Sequence, residues 1–242
     1  MEFTFRAYRN MLQLLRENGY EFCGYHDYAE HPRCVILRHD IDNSPEKALA
    51  LARLEAQQGV QATYFVLLRT DFYNPASRQC AQVLREILSL GHEIGLHFDE
   101  VAYGRELTQE QTVDCIRRES EMLSALLDTA VTSVSMHRPS QATLESDLQI
   151  PGMVNSYGKR FFREFKYLSD SRRHWREPVL DIIRSGEYDR LHILTHAFWY
   201  HEQERDISQT VKDYVCSANR ERYGWMKENI RDLAEILKED EI

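Results

Sequence analysis

Four apolar runs, each ending in polar or ionisable residues and each separated from the next by a segment of helical period, restrict this chain more than any other feature. Residues 34–42, 62–68, 92–97 and 133–137 are rich in β-branched, aliphatic and aromatic side chains, as strands buried in an α/β sheet are. Between them, 45–58, 75–90 and 108–128 repeat apolar residues at helical spacing. The first of these opens on Ser44-Pro45 and stops at Gly59, and the last opens on Thr108 and Gln111, a capping-box pair. Three successive strand–helix repeats predict an α/β fold with a parallel sheet, either doubly wound or closed as a barrel. At 242 residues the chain can bury one sizeable core, and no linker, repeat or low-complexity run divides it, so a single domain over 1–242 is expected.

Outside the repeats, 4–18 reads as a helix behind Thr4, and the aromatic segment 20–28 as an extra strand or a cover. Short strands are expected at 153–157 and 165–168 and a clear one at 191–196. A long helix over 208–238, interrupted near Gly224, is expected to pack outside. Acidic residues outnumber basic ones 39 to 30, a formal charge of −9, with no basic stripe; nucleic acid is not an expected partner. The N-terminal residues lack the apolar core of a signal peptide and no stretch is long enough to cross a bilayer, so a cytoplasmic protein is expected. The five cysteines, at 23, 34, 80, 115 and 216, form no Cys-x-x-Cys pair and read as reduced residues.

The chemistry sits at the strand ends. A side-chain period of two places Asp40 and Asp42 on one face of the 34–42 strand and His39 and Ile41 on the other. Two carboxylates held side by side repel each other unless a metal or a proton lies between them. An Asp capping the helix at Pro45 would account for one of these polar residues and leave the rest unexplained. In a parallel sheet Asp40, Asp42, His97, Asp99, His137, Arg138 and His196 all fall at carboxyl ends, where distant parts of the chain converge. Imidazole with carboxylate suits zinc or another divalent transition metal. His92, an odd number of residues before His97, points to the opposite face and reads as structural.

The runs Leu37-Arg38-His39-Asp40-Ile41-Asp42-Asn43-Ser44-Pro45, Gly59-Val60-Gln61-Ala62-Thr63-Tyr64-Phe65-Val66 and Gly91-His92-Glu93-Ile94-Gly95-Leu96-His97, followed by Arg138-Pro139 and Leu194-Thr195-His196, resemble in order the motifs of the polysaccharide deacetylase (NodB-homology) family. The resemblance implies a distorted (β/α)7-type barrel. It also implies a metal-dependent hydrolase that removes an acetyl group from an N-acetylated sugar or a sugar-containing precursor, in surface polysaccharide biosynthesis. Carried over, it makes Asp40 the general base, Asp42 and His97 metal ligands, Arg138 the cation that orients the base, and His196 the general acid. Two positions depart from the pattern. The family's paired aspartates are adjacent, and here Ile41 separates them; the second ligand histidine is expected four residues after the first, and here that position is Val101. His137 is the first choice to complete the metal site, then Asp99, then His196. Trp199, Tyr200 and Phe198, or Phe72-Tyr73-Asn74, offer aromatic surface for a sugar. The expected cofactor is a divalent ion, zinc first, and the expected partner a glycan or small-molecule substrate. Hydrolysis of a non-sugar amide and a metal-free carbohydrate-binding or scaffold role are the alternatives.

Overall fold

Helix α1 (Phe5–Glu17) begins where the Thr4 hydroxyl accepts the Ala7 N–H at 3.0 Å, and the short strand β1 (Glu21–Cys23) follows it. The computed structural model describes residues 1–104 and 106–242, which form two compact units, Met1–Glu202 and Gln203–Ile242. In the first unit the expected alternation continues through β2 (Cys34–Ile41), α2 (Pro45–Gln57), β3 (Thr63–Leu67), α3 (Arg78–Ser89), β4 (Glu93–Asp99), α4 (Gln109–Leu127) and β5 (Ser133–His137). Helix α3 starts three residues later than its apolar pattern predicts, because Ser77 caps it by accepting the Cys80 N–H. The capping box of Thr108 and Gln111 is formed. Shorter elements complete the unit: α5 (Gln141–Ser146), β6 (Val154–Asn155), α6 (Lys159–Arg163), β7 (Lys166–Ser169), α7 (Val179–Ser185) and β8 (Arg190–Thr195).

Every strand pair is parallel, in the order β6-β5-β4-β3-β2-β8-β7. Strand β8 pairs with β2 over Cys34–His39, so β1 and β3 must share the other edge of β2, β1 along Cys34–Ile36 and β3 along Arg38–Ile41. Strand β2 is thus paired with three strands, β1, β3 and β8. A flat sheet would hold β5 roughly 14 Å from β2, beyond the reach of one side chain. Yet the fully buried Arg38 of β2 donates to Ser135 of β5 at 2.5 Å and to Ser156, just after β6, at 3.1 Å. The sheet is therefore curled around Arg38, and no pairing among the described residues joins β6 to β7. This is the distorted barrel of seven strands, β2 to β8, with β1 added at the edge of β2.

Strand parity sorts the side chains between the two sides of the curled sheet. Val35, Leu37 and Ile41 join the cluster built with the helices, whereas Ile36 lies in the interior cluster with Phe65, Tyr25, Phe161 and Phe165. On β4, Leu96 and Phe98 face the helices and Gly95, His97 and Asp99 the interior. Gly95 is required by a close approach: a Cβ there would lie 2.5 Å from the Phe65 ring and 3.1 Å from the Ser133 carbonyl. Gly95→Ala is expected to cost about 1–3 kcal/mol of stability by overpacking, read as a lower urea midpoint at unchanged slope.

The second unit is α8 (Ile207–Asn229), capped by Asp206, followed by α9 (Leu233–Ile236). The helix runs through Gly224 and ends at Ile230, whose backbone is extended, so the expected interruption lies six residues later. A single glycine costs a helix only about 1 kcal/mol, less than 23 residues of helix supply in hydrogen bonds. Among the described residues no helix is long and apolar enough to cross a membrane.

Candidate metal centre

Arg38, Asp40 and Asp42 share the inward face of β2 and its extension, and each meets a different partner. Arg38 grips Asp40 with Nη2 to Oδ2 at 2.7 Å and Nε to Oδ1 at 3.2 Å, both side chains buried. Burial alone would raise the Asp40 pKa, but Arg38, and then His97 and His196, outweigh it and hold the carboxyl below its ordinary value. The Arg138 of the sequence expectation does not take this place. Its guanidinium pairs with Asp99, and the cation on Asp40 is Arg38, two residues away on the same strand face.

Asp42, His97 and His137 converge, each offering one ligand atom within 4.8 Å of the others. Oδ1 of Asp42 lies 3.3 Å from His97 Nε2 and 3.4 Å from His137 Nδ1, and the two imidazole nitrogens are 3.2 Å apart. That oxygen is buried and has no hydrogen-bond partner. An orphaned carboxylate oxygen between two imidazoles is costly unless a cation sits among them, so the donor set fits a divalent ion. Burial opposes ionisation of Asp42, yet His137 and His97 hold its pKa well below the ordinary range. Ser135, which takes a hydrogen bond from Arg38, lies 3.0 Å from His97 Nδ1 and keeps Nε2 turned towards Asp42. The position that Val101 leaves without an imidazole is thus matched by His137, brought alongside by the pairing of β4 and β5.

His196 approaches from β8, with Nε2 3.8 Å from Asp42 Oδ2. Its Nδ1 is held by Asp170 at 2.7 Å, and the same carboxylate accepts the His196 backbone N–H at 3.1 Å. Burial lowers the imidazole pKa, but Asp170, then Asp42 and Asp40, overcome it and lift the ring from 6.5 to about 9. In chelator-treated protein the His196 ring is therefore expected to titrate near pH 9 by NMR, and Asp170→Asn to lower that midpoint by roughly one unit or more. Because the folded value is raised, the stability this pair adds is complete below about 6.5 and is lost as pH rises through about 9.

The remaining expected residues part company. Asp99 caps the turn after β4 by accepting the Val101 N–H and holds Arg138, so it is engaged elsewhere than with the trio. Tyr200 is fully buried against Phe3 and Tyr8, 5.5 and 5.3 Å between ring centroids, and offers no face to a sugar. Tyr73 ties β2 to β3, donating to the Ile41 carbonyl at 2.7 Å and accepting the Leu67 N–H at 2.9 Å. Trp199 is partly buried against the core and its neighbour Phe198. The exposed aromatic at the site is Phe72, which lines a cleft of 370 Å³ with Asp42, Asp99, His137, Arg69 and Arg138. His92 is structural, as its parity predicts: it bonds Ala52 and Ala62 in the core, where burial lowers its pKa. Sequence reasoning assigned no role to Arg38, Ser135 or Asp170.

No protein-family model matches the chain, and no curated protein does. Solved structures do. A polysaccharide deacetylase from Bacillus cereus is 12% identical over 78% of this chain and 88% of its own, with a TM-score of 0.49. The chitin deacetylase of the fungal pathogen Colletotrichum lindemuthianum is 18% identical over 77% and 83%, at 0.45. A CE4 family pseudoenzyme from Bacillus anthracis is 15% identical over 79% of this chain, at 0.46, and this chain spans 63% of that protein's length. Each is a distant resemblance between chains.

Proposed function

We propose that this protein is a divalent-metal-dependent hydrolase of the polysaccharide deacetylase kind, releasing acetate from an N-acetylated sugar or a sugar-containing precursor. The observation that carries the reading is the orphaned Oδ1 of Asp42 between His97 and His137, flanked on one side by the Asp40–Arg38 pair and on the other by the His196–Asp170 pair. The ordered series of sequence motifs supports it, since Asp40, Asp42, His97 and His196 all reach this one place.

The residues supply what amide hydrolysis needs. Asp42, His97 and His137 would hold the ion, and a divalent ion there would polarise the acyl carbonyl and acidify the attacking water. Asp40 accepts the proton of that water; Arg38 keeps it ionised and fixes its position. His196, its Nδ1 fixed on Asp170, presents Nε2 to the site, and Asp170 favours the protonated ring that would donate to the leaving nitrogen. A carboxylate whose pKa is held down by Arg38 and an imidazole whose pKa is held up by Asp170 are suited to the roles of base and acid in such a reaction.

The test is acetate release from N-acetylated sugars by the full chain. Activity is expected to disappear on chelation and to return with zinc or another divalent transition metal, with about one ion bound per chain by elemental analysis. Protein that binds no metal, or that cleaves only non-sugar amides, would overturn this assignment.

A further inference from the structure

Arg138 is left without the task that the motif series gives it. Arg38 already orients Asp40, with two nitrogens on the carboxylate and two serines behind it. Arg138 instead lines the 370 Å³ cleft on a backbone turned to φ 50, a left-handed conformation that a residue with a side chain adopts only at a cost. Its guanidinium leans on Asp99, with 63% of the arginine side chain exposed and 3% of the aspartate. Arg69, at the end of β3, repeats the construction. Its Nε donates to the buried Glu119 at 2.8 Å, its guanidinium lies over the Tyr103 ring at 4.5 Å, and 52% of its side chain is exposed.

In both cases a buried carboxylate pairs with one nitrogen of an arginine that lines the cleft, and more than half of the arginine side chain stays exposed. An arginine held in this way has lost much of its rotamer freedom before a ligand arrives, so its remaining N–H donors are preorganised. The guanidinium has donors only, and its planar fork matches the oxygens of a phosphate or carboxylate. Both arginines line the same cleft as Asp42 and His137. Of the lining carboxylates, Asp42 belongs to the metal trio and Asp99 holds Arg138, which leaves Asp71 alone to oppose an incoming anion.

We infer that Arg69 and Arg138 form an anion-recognition site, and that the substrate carries a phosphate or carboxylate beside the acylated group presented to Asp42, His97 and His137. This rests on the hydrolase reading above and narrows its substrate class to charged sugars. A purely structural role for the two ion pairs makes a different prediction, a loss of stability with no change in ligand preference.

The decisive measurement is calorimetric titration of the zinc-loaded full chain with three probes: N-acetylglucosamine, N-acetylglucosamine 1-phosphate and N-acetylglucosaminuronic acid. At least one charged sugar is expected to bind roughly tenfold or more tightly than the neutral one, the effect of one or two charge-assisted hydrogen bonds. Whether the phosphate or the uronate gains more identifies the anion. Arg69→Gln and Arg138→Gln should each narrow the gap between charged and neutral sugars; both replaced side chains are largely exposed, and glutamine can still donate to Glu119 or Asp99. Raised salt should narrow the gap in the same direction. Equal affinity for all three sugars, or a preference that survives both substitutions, overturns the anion site while binding and acetate release leave the hydrolase standing. If none of the three sugars binds and none is deacetylated, the hydrolase reading falls and the anion site with it.

Discussion

Asp40→Asn is expected to lower acetate release by about 10²–10⁴-fold while metal content stays near that of the parent protein. The two halves of this result belong together. Asp40 Oδ2 lies 3.6 Å from His97 Nε2, close to the trio without being counted in it, and its strongest partner is Arg38 at 2.7 Å. A carboxylate that Arg38 keeps ionised can accept a proton; an amide of the same shape cannot. Asp42→Ala should behave differently, losing the ion and the activity together, because it removes one of three donors around a single point. Elemental analysis beside the rate separates proton transfer from ion binding. Arg38 is fully buried, and neutralising its partner leaves a charge in the interior without a counter-charge, with Ser135, Ser156 and the one amide oxygen of the new side chain as its acceptors. Some stability is therefore lost as well, and the rate must be taken per folded molecule by near-ultraviolet circular dichroism. A folded Asp40→Asn protein with a rate within tenfold of the parent would remove Asp40 from the role of base.

Much of this site is legible in strand parity. Counting by two along β2 puts Asp40 and Asp42 together and sends His39 away, and the structure places His39 against Glu55 and Thr195 on the helix side. The same count places Arg38 on the face of Asp40, so the orienting cation could have been found two residues upstream. The motif series pointed instead to Arg138, whose left-handed backbone turns it to Asp99, and no sequence pattern announces such a turn. Asp170 left no local trace either. It follows the short strand β7 and meets His196 only because β7 and β8 are neighbours in the sheet. Tyr200 shows the opposite failure: an aromatic residue four positions after His196 looks like a sugar platform. The turn at Ala197–Trp199 instead carries its ring under α1, among Phe3 and Tyr8.

Glu55→Leu is expected to destabilise the first unit by about 3–5 kcal/mol, although Glu55 lies on the helix side of β2, away from Asp40 and Asp42. The carboxylate is buried on α2 and gathers Tyr8 Oη at 2.5 Å, Tyr64 Oη at 2.6 Å and His39 Nε2 at 2.9 Å, with His92 Nδ1 at 3.8 Å. Burial disfavours its charge, but His39, then His92 and the Tyr64 hydroxyl, hold its pKa below the ordinary 4.5. The sign for a depressed carboxylate follows: its contribution is present above about 4.5 and is lost as pH falls through the lower folded value. Leucine fills the volume and leaves two tyrosine hydroxyls and an imidazole without their acceptor, and that loss of partners dominates the cost. Glu55→Gln keeps one carbonyl oxygen and should lose less, about 1–3 kcal/mol, by urea unfolding at pH 7. The network also joins α1, α2, β2 and β3 through Tyr8, Glu55, His39 and Tyr64, and His39 bonds Thr195, the residue before His196, at 2.6 Å. Its loss is therefore expected to lower stability first, with the rate per folded molecule falling only as far as β2 and β8 shift against each other. A Glu55→Leu protein as stable as its parent would mean that the two tyrosines and His39 find other partners.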